Sequence, residues 1–367
     1  MQAARARADA GPQGFTLCGA AAGKFDRLDA WSAALAFVRG DLEIEGDLKA
    51  AIRHALTRPG TAFRRLRTVL ATRVAPLRIE HWLQTRGRAR ANITFHYDRS
   101  NDFFASFLDR RMVYSCAYFA RPGVTLEEAQ EAKLDLICRK LALSPGERFL
   151  DVGCGWGALV LYAAHEFGAS AEGCTLSENQ AEYARAAGAR VSLCDYRAMT
   201  GGFDKIASVG MFEHVGRRRL PGYFRAVSNL LTPGGLFLNH GIVRPGGTKD
   251  GPDTLFLRRY VFPGGELAEL SSVIEAAESA GFEVLDVENL RPHYGLTCTH
   301  WIERLQRNRE RGLRAVSPES WRIWLLYLAA SAVSFEDGGT DVCQILMAKR
   351  GSPRRPMTRE YMYRSAR

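Results

Sequence analysis

No two cysteines stand in a C-x-x-C arrangement, although the chain of 367 residues carries eight of them. Thiols so scattered exclude a disulfide frame and a zinc site, and predict reduced cysteines in an intracellular protein. No secretory leader is expected, because the Ala4-Arg-Ala-Arg-Ala8 start is followed by no apolar core segment. The longest apolar run, Trp324 to Phe335, covers only 12 residues. That is too short to span a bilayer and reads as a core helix of a soluble protein. Internal repeats and low-complexity tracts are also missing. Acids are nearly missing from one stretch: Lys49 to Arg90 has eleven Lys/Arg and a single acid, Glu80, and so matches the +10 of the whole chain. Within it, Ala62-Phe-Arg-Arg-Leu-Arg-Thr-Val-Leu70 interleaves arginine with apolar residues at roughly helical spacing. A surface of that kind contacts anionic lipid headgroups or a nucleic acid, or is simply a solvated helix face; charge alone leaves these open.

The most informative stretch is Glu147-Arg-Phe-Leu-Asp-Val-Gly-Cys-Gly-Trp-Gly157. Phe149, Leu150 and Val152 read as a strand buried on both faces. Glycines follow at 153, 155 and 157, and Ala158 to Phe167 has helical spacing. A glycine turn between strand and helix lets a ligand approach the backbone beside the free N–H groups of the helix start. The G-x-G-x-G spacing departs from the dinucleotide G-x-G-x-x-G and suits S-adenosylmethionine better than NAD.

The chain divides near residue 90. Residues 1–90 form a small basic unit, in which Phe37 to Asp47 reads as strand-turn-strand. Residues 91–350 form an α/β domain, and 351–367 a loose basic tail. Thr125-Leu-Glu-Glu128 and Ser177-Glu-Asn-Gln180 are capping boxes, the first opening a helix through Leu141. Gly168, Gly188 and Gly281 each close a helix before a strand. Strands are expected near 147–152, 170–175, 190–194, 204–210, 235–240, 282–288 and 341–348. This alternation predicts a doubly wound, Rossmann-like, mostly parallel sheet with its ligand at the carboxyl ends of the strands.

At those ends, Thr175, Ser177 and Gln180 offer hydroxyl and amide groups where an NAD enzyme usually has an acid. Asp195-Tyr-Arg197 is placed to meet an adenine. Glu213 and His240 stand at neighbouring strand ends, a plausible acid/base cluster.

His96-Tyr-Asp98, Asn101-Asp-Phe-Phe104, Tyr114-Ser-Cys-Ala-Tyr118, Leu150 to Gly157, Gly173-Cys-Thr-Leu-Ser177, Asp195-Tyr-Arg197 and Val209-Gly-Met-Phe-Glu-His-Val-Gly216 occur in order. Together they resemble the cyclopropane-fatty-acyl-phospholipid and mycolic acid cyclopropane synthases, over residues 92 to 348. The resemblance implies a class I methyltransferase fold and transfer of a methylene unit from S-adenosylmethionine to a cis double bond of a phospholipid acyl chain. It also implies a carbocation deprotonated by a bound bicarbonate. Carried over residue by residue, it gives the bicarbonate the backbones of Cys116 and Ile242 and the side chains of Glu213, His240 and Tyr294. The cofactor receives Tyr114, Ser115, Asp151, Gly153, Gly155, Gly157, Thr175, Leu176, Ser177, Gln180, Tyr196 and Arg197. The resemblance favours an anionic membrane over nucleic acid for the basic stretch, hence a cytoplasmic protein held peripherally at the inner membrane face. A homodimer is compatible with it.

Three departures stand out. Ser331 occupies the position of a late cysteine of the family, and since the chemistry needs no thiolate this argues against an essential cysteine. Phe262-Pro-Gly-Gly-Glu-Leu-Ala268 lacks the family's second proline, and Arg291-Pro-His-Tyr294 replaces a G-A-D-Y form. A fatty-acid C-methyltransferase giving methylene- or methyl-branched chains is the alternative within the fold. An RNA methyltransferase is disfavoured by the absence of an N-P-P-Y or D-P-P-Y motif after the fourth strand.

Overall fold

The computed structural model describes residues 7–9, 14–57, 100–247, 266–351 and 357–363. The greater part of the basic stretch, the His96-Tyr-Asp98 motif and Phe262 to Gly265 lie outside the described residues. The N-terminal unit contains β1 (Arg7–Asp9), β2 (Phe15–Cys18), α1 (Ala30–Arg39), β3 (Glu43–Gly46) and α2 (Leu48–Thr57), with an antiparallel sheet in the order β1-β2-β3. Phe37 to Arg39 is not the expected strand. Asp29 caps α1 by accepting the Ser32 amide at 2.7 Å, Ala33, Phe37 and Val38 bury one helix face, and Gly40 closes the helix at φ 82°. Only Glu43 to Gly46 extends, because β2 is there to pair with it.

The main body comprises α3 (Asn101–Phe104), α4 (Leu126–Lys140), β4 (Arg148–Val152), α5 (Ala158–Phe167), β5 (Ser170–Thr175), α6 (Glu178–Ala186), β6 (Val191–Leu193) and β7 (Phe203–Val209). It continues through α7 (Leu220–Leu230), β8 (Leu231–Val243), α8 (Leu270–Ser279), β9 (Phe282–Asn289), α9 (Arg291–Arg307), α10 (Arg309–Ala315), α11 (Pro318–Glu336), β10 (Asp341–Lys349) and α12 (Glu360–Tyr363). Seven strands form one sheet in the order β6-β5-β4-β7-β8-β10-β9. The first five are parallel, whereas β10 pairs antiparallel with both β8 and β9. The chain reverses direction beside β4, which opens a crevice at the carboxyl ends of β4 and β7. Strand β8 runs past the expected end at His240 to Val243, because β10 supplies a hydrogen-bonding partner along that length.

Thr125 and Glu128 form the expected capping box. At Ser177 only half of one forms: the Ser177 hydroxyl accepts the Gln180 amide, but the Gln180 side chain turns to Thr175 instead, where Thr175 Oγ1 donates to it at 2.8 Å. The apolar run of Trp324 to Phe335 lies inside α11, which serves as the joint of the molecule. Phe37, Val38, Leu48 and Ile52 of the N-terminal unit share one apolar cluster with Trp321, Trp324, Leu325 and Leu328 of α11. Polar bonds reinforce the joint: Arg322 pairs with Glu43, and Lys49 and Arg53 both bond Glu336 at the end of α11. Two cations of the basic stretch are therefore engaged within the chain. The tail is not wholly loose either, since Met362 is buried and Arg359 bonds Asp286 at 2.5 Å. No helix among the described residues is long and apolar enough to cross a membrane.

Candidate functional site

A solvent-open cavity occupies the crevice. Tyr114, Ser115, Asp151, Gly153, Gly155, Thr175, Leu176, Gln180, Tyr196 and Arg197 line it, so ten of the twelve residues expected to hold a cofactor border the same cavity. Gly157 and Ser177 stand behind the cavity wall. A Cβ on Gly157 would sit 2.9 Å from that of Ala184, so this glycine lets α6 pack against the turn. Ser177 is buried as the cap of α6. Gly155 is different: its φ is +53°, and no atom lies within 4 Å of where a Cβ would be. The space above it belongs to the cavity. Thr175 and Gln180 are held by their mutual bond, and Arg197 makes a two-pronged pair with Asp195 at 2.7 and 2.5 Å. Tyr196 stands edge-on to Tyr223 at 5.6 Å, a flat surface at the β6 side suited to a base.

The opposite end is built from the Asn101 to Tyr118 segment. Trp156 of the glycine turn donates to Asn101 Oδ1 at 2.8 Å, and its ring lies 4.9 Å from Phe104. Two sequence motifs thus meet in space. Asp109 accepts the amides of Arg111 (2.9 Å) and Val113 (2.8 Å), which pins the bend that presents Tyr114 and Ser115. Met112 in this bend has φ 57°, a left-handed conformation costly for a side-chain-bearing residue and found preferentially at functional sites. The Tyr114 hydroxyl bonds Tyr327 at 3.2 Å, and Tyr327 in turn bonds Ser331 one turn along α11. Ser331 therefore reaches the cavity wall only through two phenols.

Beyond β7, the chain turns at Phe212 to His214 and places Glu213 over β8. The Ile242 amide donates to Glu213 Oε1 at 2.7 Å, so this amide, expected to face an anion, is engaged by the carboxylate. A Cβ on Gly241 would lie 2.0 Å from the Phe212 ring, a close approach that only glycine permits. Glu213 Oε2 is buried without a hydrogen-bond partner among the described residues, and burial pushes the acid up to about 7.

His240 is likewise buried, with burial as the main cause holding its imidazole well below the usual value. Its Nδ1 lies 3.2 Å from Gln344 Nε2, its directly paired neighbour on β10. With the Gln344 amide assigned this way round its nitrogen donates, which assigns the imidazole proton to Nε2, and Nε2 has no partner among the described residues. An orphaned donor on β8 and an orphaned acceptor on the turn after β7 thus lie buried. Such a pair suits a small group able both to accept and to donate.

Tyr294, in the first turn of α9, is buried, its ring stacked on Phe335 at 4.4 Å. Burial, with Tyr327, Cys298, Cys116 and Glu213 nearby, holds its phenol well above the ordinary range, so it stays protonated. Cys116 is fully buried, and its thiol faces the Ala117 and Leu290 carbonyls at 3.3 and 3.8 Å. Burial pushes that thiol up, which makes it a poor nucleophile. Cys154 is buried in the same condition.

Three polar residues not anticipated from sequence lie here: Lys133 and Gln344 are buried, and His214 is half-buried. Burial alone holds His214 down to about 4, so it is neutral. A signal existed for Lys133. It lies in register with Leu126, Ala129, Gln130 and Ile137 on the buried face of α4, where a lysine is out of place unless it has work to do.

The model of the mycolic acid cyclopropane synthetase family matches residues 84–345. A Pseudomonas putida protein named as a probable fatty acid methyltransferase is 43% identical over 90% of this chain and 86% of its own length. Cyclopropane mycolic acid synthase 3 of Mycobacterium tuberculosis is 38% identical over 70% of this chain and 96% of its own. Among solved structures, the cyclopropane synthase MmaA2 of Mycobacterium tuberculosis superposes with a TM-score of 0.69 at 35% identity, covering 71% of this chain and 98% of that one. The mycolic acid cyclopropane synthase CmaA1, complexed with SAH and CTAB, gives 0.68 at 37% identity, with the same coverage.

Proposed function

This chain belongs to the mycolic acid cyclopropane synthetase family of S-adenosylmethionine-dependent methyltransferases, enzymes that act on lipid chains, and from that premise we propose that it converts cis double bonds of phospholipid acyl chains into cyclopropane rings. The observation that carries this reading is the pair of orphaned buried atoms, Glu213 Oε2 and His240 Nε2, the first on the turn whose Met211 and His214 line the cofactor cavity. They complement bicarbonate, which accepts through its oxygens and donates through its own O–H. When bound, S-adenosylmethionine supplies the methyl group and bicarbonate supplies the base.

The residues of the chain then have separable tasks. Gly155 leaves room for the methionine part and Gly153 for the packed Met211 side chain, Thr175 and Gln180 face the ribose, and Tyr196 with Arg197 borders the adenine. His240 donates from Nε2, Tyr294 donates from its phenol, and ionised Glu213 accepts the anion's own proton. This holds the base in one orientation. The alkene is a weak nucleophile, so the site must align it and exclude water. Tyr114 and Trp156, which both line the cavity, supply aromatic faces that favour a developing cation.

A second reading draws on the 43% identical relative: a fatty-acid C-methyltransferase in which the cation loses a proton from the chain. Expression in a host lacking cyclopropane lipids, followed by NMR of the extracted lipids, separates the two. Strongly shielded ring protons support the first reading and olefinic methylene protons the second. Unaltered lipids in the presence of folded protein would refute both.

We place the enzyme at an anionic membrane through the basic stretch that follows α2. The small unit of residues 1–90 serves as its lipid-contacting part, and residues 91–350 as its catalytic part.

A further inference from the structure

We propose that Lys133 is the cation that receives the carboxylate of the methionine group of S-adenosylmethionine, with Ser115 as a second donor and Asp151 facing the ammonium. The assignment rests on the cofactor of the family, and is independent of which lipid product forms.

Lys133 projects from the middle of α4 and is only 1% exposed. Its ammonium has three protons to place, yet one bond is found for it, to Ser115 Oγ at 2.8 Å. No carboxylate among the described residues lies within 4.0 Å of it. A buried ammonium so sparsely paired is costly, and the cost falls when an anion arrives. Asp109 gives the largest attraction among the acids around Lys133, yet it makes no direct bond to the ammonium, its oxygens being held by the Arg111 and Val113 amides. Asp151 lies at the cavity wall with Lys133, and its Oδ1 is buried without a partner. Burial pushes Asp151 up to about 7 and Lys133 down to about 8, as expected of two charges that each want a partner.

The cavity wall thus presents an unsatisfied cation and an unsatisfied carboxylate that do not touch each other. An α-amino acid group carries the complementary pair, a carboxylate and an ammonium on one carbon. Because Ser115 accepts from Lys133, its own hydroxyl proton remains to be donated to the same carboxylate. This orients the cofactor: methionine end toward α4, adenine toward Asp195 to Arg197. Lys133 thereby discriminates cofactors by their amino-acid group, whereas Thr175, Gln180 and Tyr196 read the nucleoside.

The test is calorimetric titration of the full-length protein with three ligands. These are S-adenosylhomocysteine, its decarboxylated analogue, and 5′-methylthioadenosine, which lacks the amino-acid group altogether. Wild type should bind S-adenosylhomocysteine more tightly than the decarboxylated analogue by at least about tenfold, as for a lost charge-assisted hydrogen bond. Lys133→Met should abolish that preference while leaving methylthioadenosine affinity within about twofold, and Lys133→Arg should restore part of it. Equal loss for all three ligands in Lys133→Met would mean a structural role and overturn the assignment. If Lys133→Met fails to fold, the wild-type comparison decides: equal affinity for the carboxylated and decarboxylated ligands refutes the proposal. Failure of the lipid assay with these affinities intact would count against the product, not against Lys133.

Discussion

The Ile242 amide donates to Glu213 Oε1 at 2.7 Å, and the same carboxylate leaves Oε2 buried and unpartnered. One oxygen anchors the side chain to the strand that carries His240, and the other is reserved. This division of labour separates positioning from chemistry within a single residue.

Glu213→Gln should therefore keep the side chain in place and keep cofactor affinity, while turnover falls by about a hundredfold, a usual effect for a positioned proton acceptor. Turnover of the wild type should rise with pH through about 7, where the acid ionises, and the mutant should lose that limb. Removing dissolved carbon dioxide should slow wild type more than the mutant. Stability provides a second readout. The folded acid holds its proton up to about 7 and the unfolded one only to about 4.5, so between those values the folded state binds more protons and wild-type stability declines as pH rises. Denaturant titrations should show Glu213→Gln relieved of that decline, by up to about 3 kcal/mol near pH 8. A mutant with normal turnover would place the proton acceptor elsewhere.

Gln344 sets the tautomer of His240 through the 3.2 Å contact to Nδ1. Gln344→Glu should reverse it, since a carboxylate there accepts a proton on Nδ1 and leaves Nε2 bare. Nitrogen-15 NMR of the His240 ring should report the switch directly. Turnover should fall by about tenfold or more, as when the partner of a functional histidine is changed, with cofactor binding retained. An unchanged tautomer would show that Gln344 is only a packing residue.

Two glycines should fail for different reasons. Gly155→Val meets open cavity but sets a β-branched residue at φ +53°, so it should cost about 1–2 kcal/mol of stability while cofactor binding is lost. Gly241→Ala drives a methyl group into the Phe212 ring and should cost about 1–3 kcal/mol of stability through overpacking. Thermal unfolding alongside calorimetry separates the two, and a Gly155→Val protein with normal cofactor affinity would contradict the placement of the ligand.

Liposome binding should increase with the fraction of anionic lipid and weaken with salt, because exposed charges are screened beyond about 10 Å at 0.1 M. Replacing Arg64, Arg65 and Arg67 with glutamate should weaken it further. Lys49 and Arg53 are poorer targets, since both already bond Glu336. Equal binding to neutral and anionic vesicles would argue against electrostatic docking.

Local patterns determined much of this protein. The apolar run before Gly153, the Thr125 capping box and the glycines closing helices were legible because each depends on neighbours a few residues away. So was the family, since its motifs are contiguous words. Phe37 to Arg39 reads as a strand because a short apolar segment fits strand and helix alike, and packing against α11 decides for the helix. Tertiary structure alone brought Gln344 beside His240, from a strand about a hundred residues later that enters the sheet antiparallel. It alone left Lys133 with a single partner, and divided Gly155, which faces the cavity, from Gly157, which faces a helix. These are properties of what surrounds a side chain once distant segments close around it. Burial and the absence of a partner are fixed by three-dimensional packing, and no run of neighbouring residues encodes them.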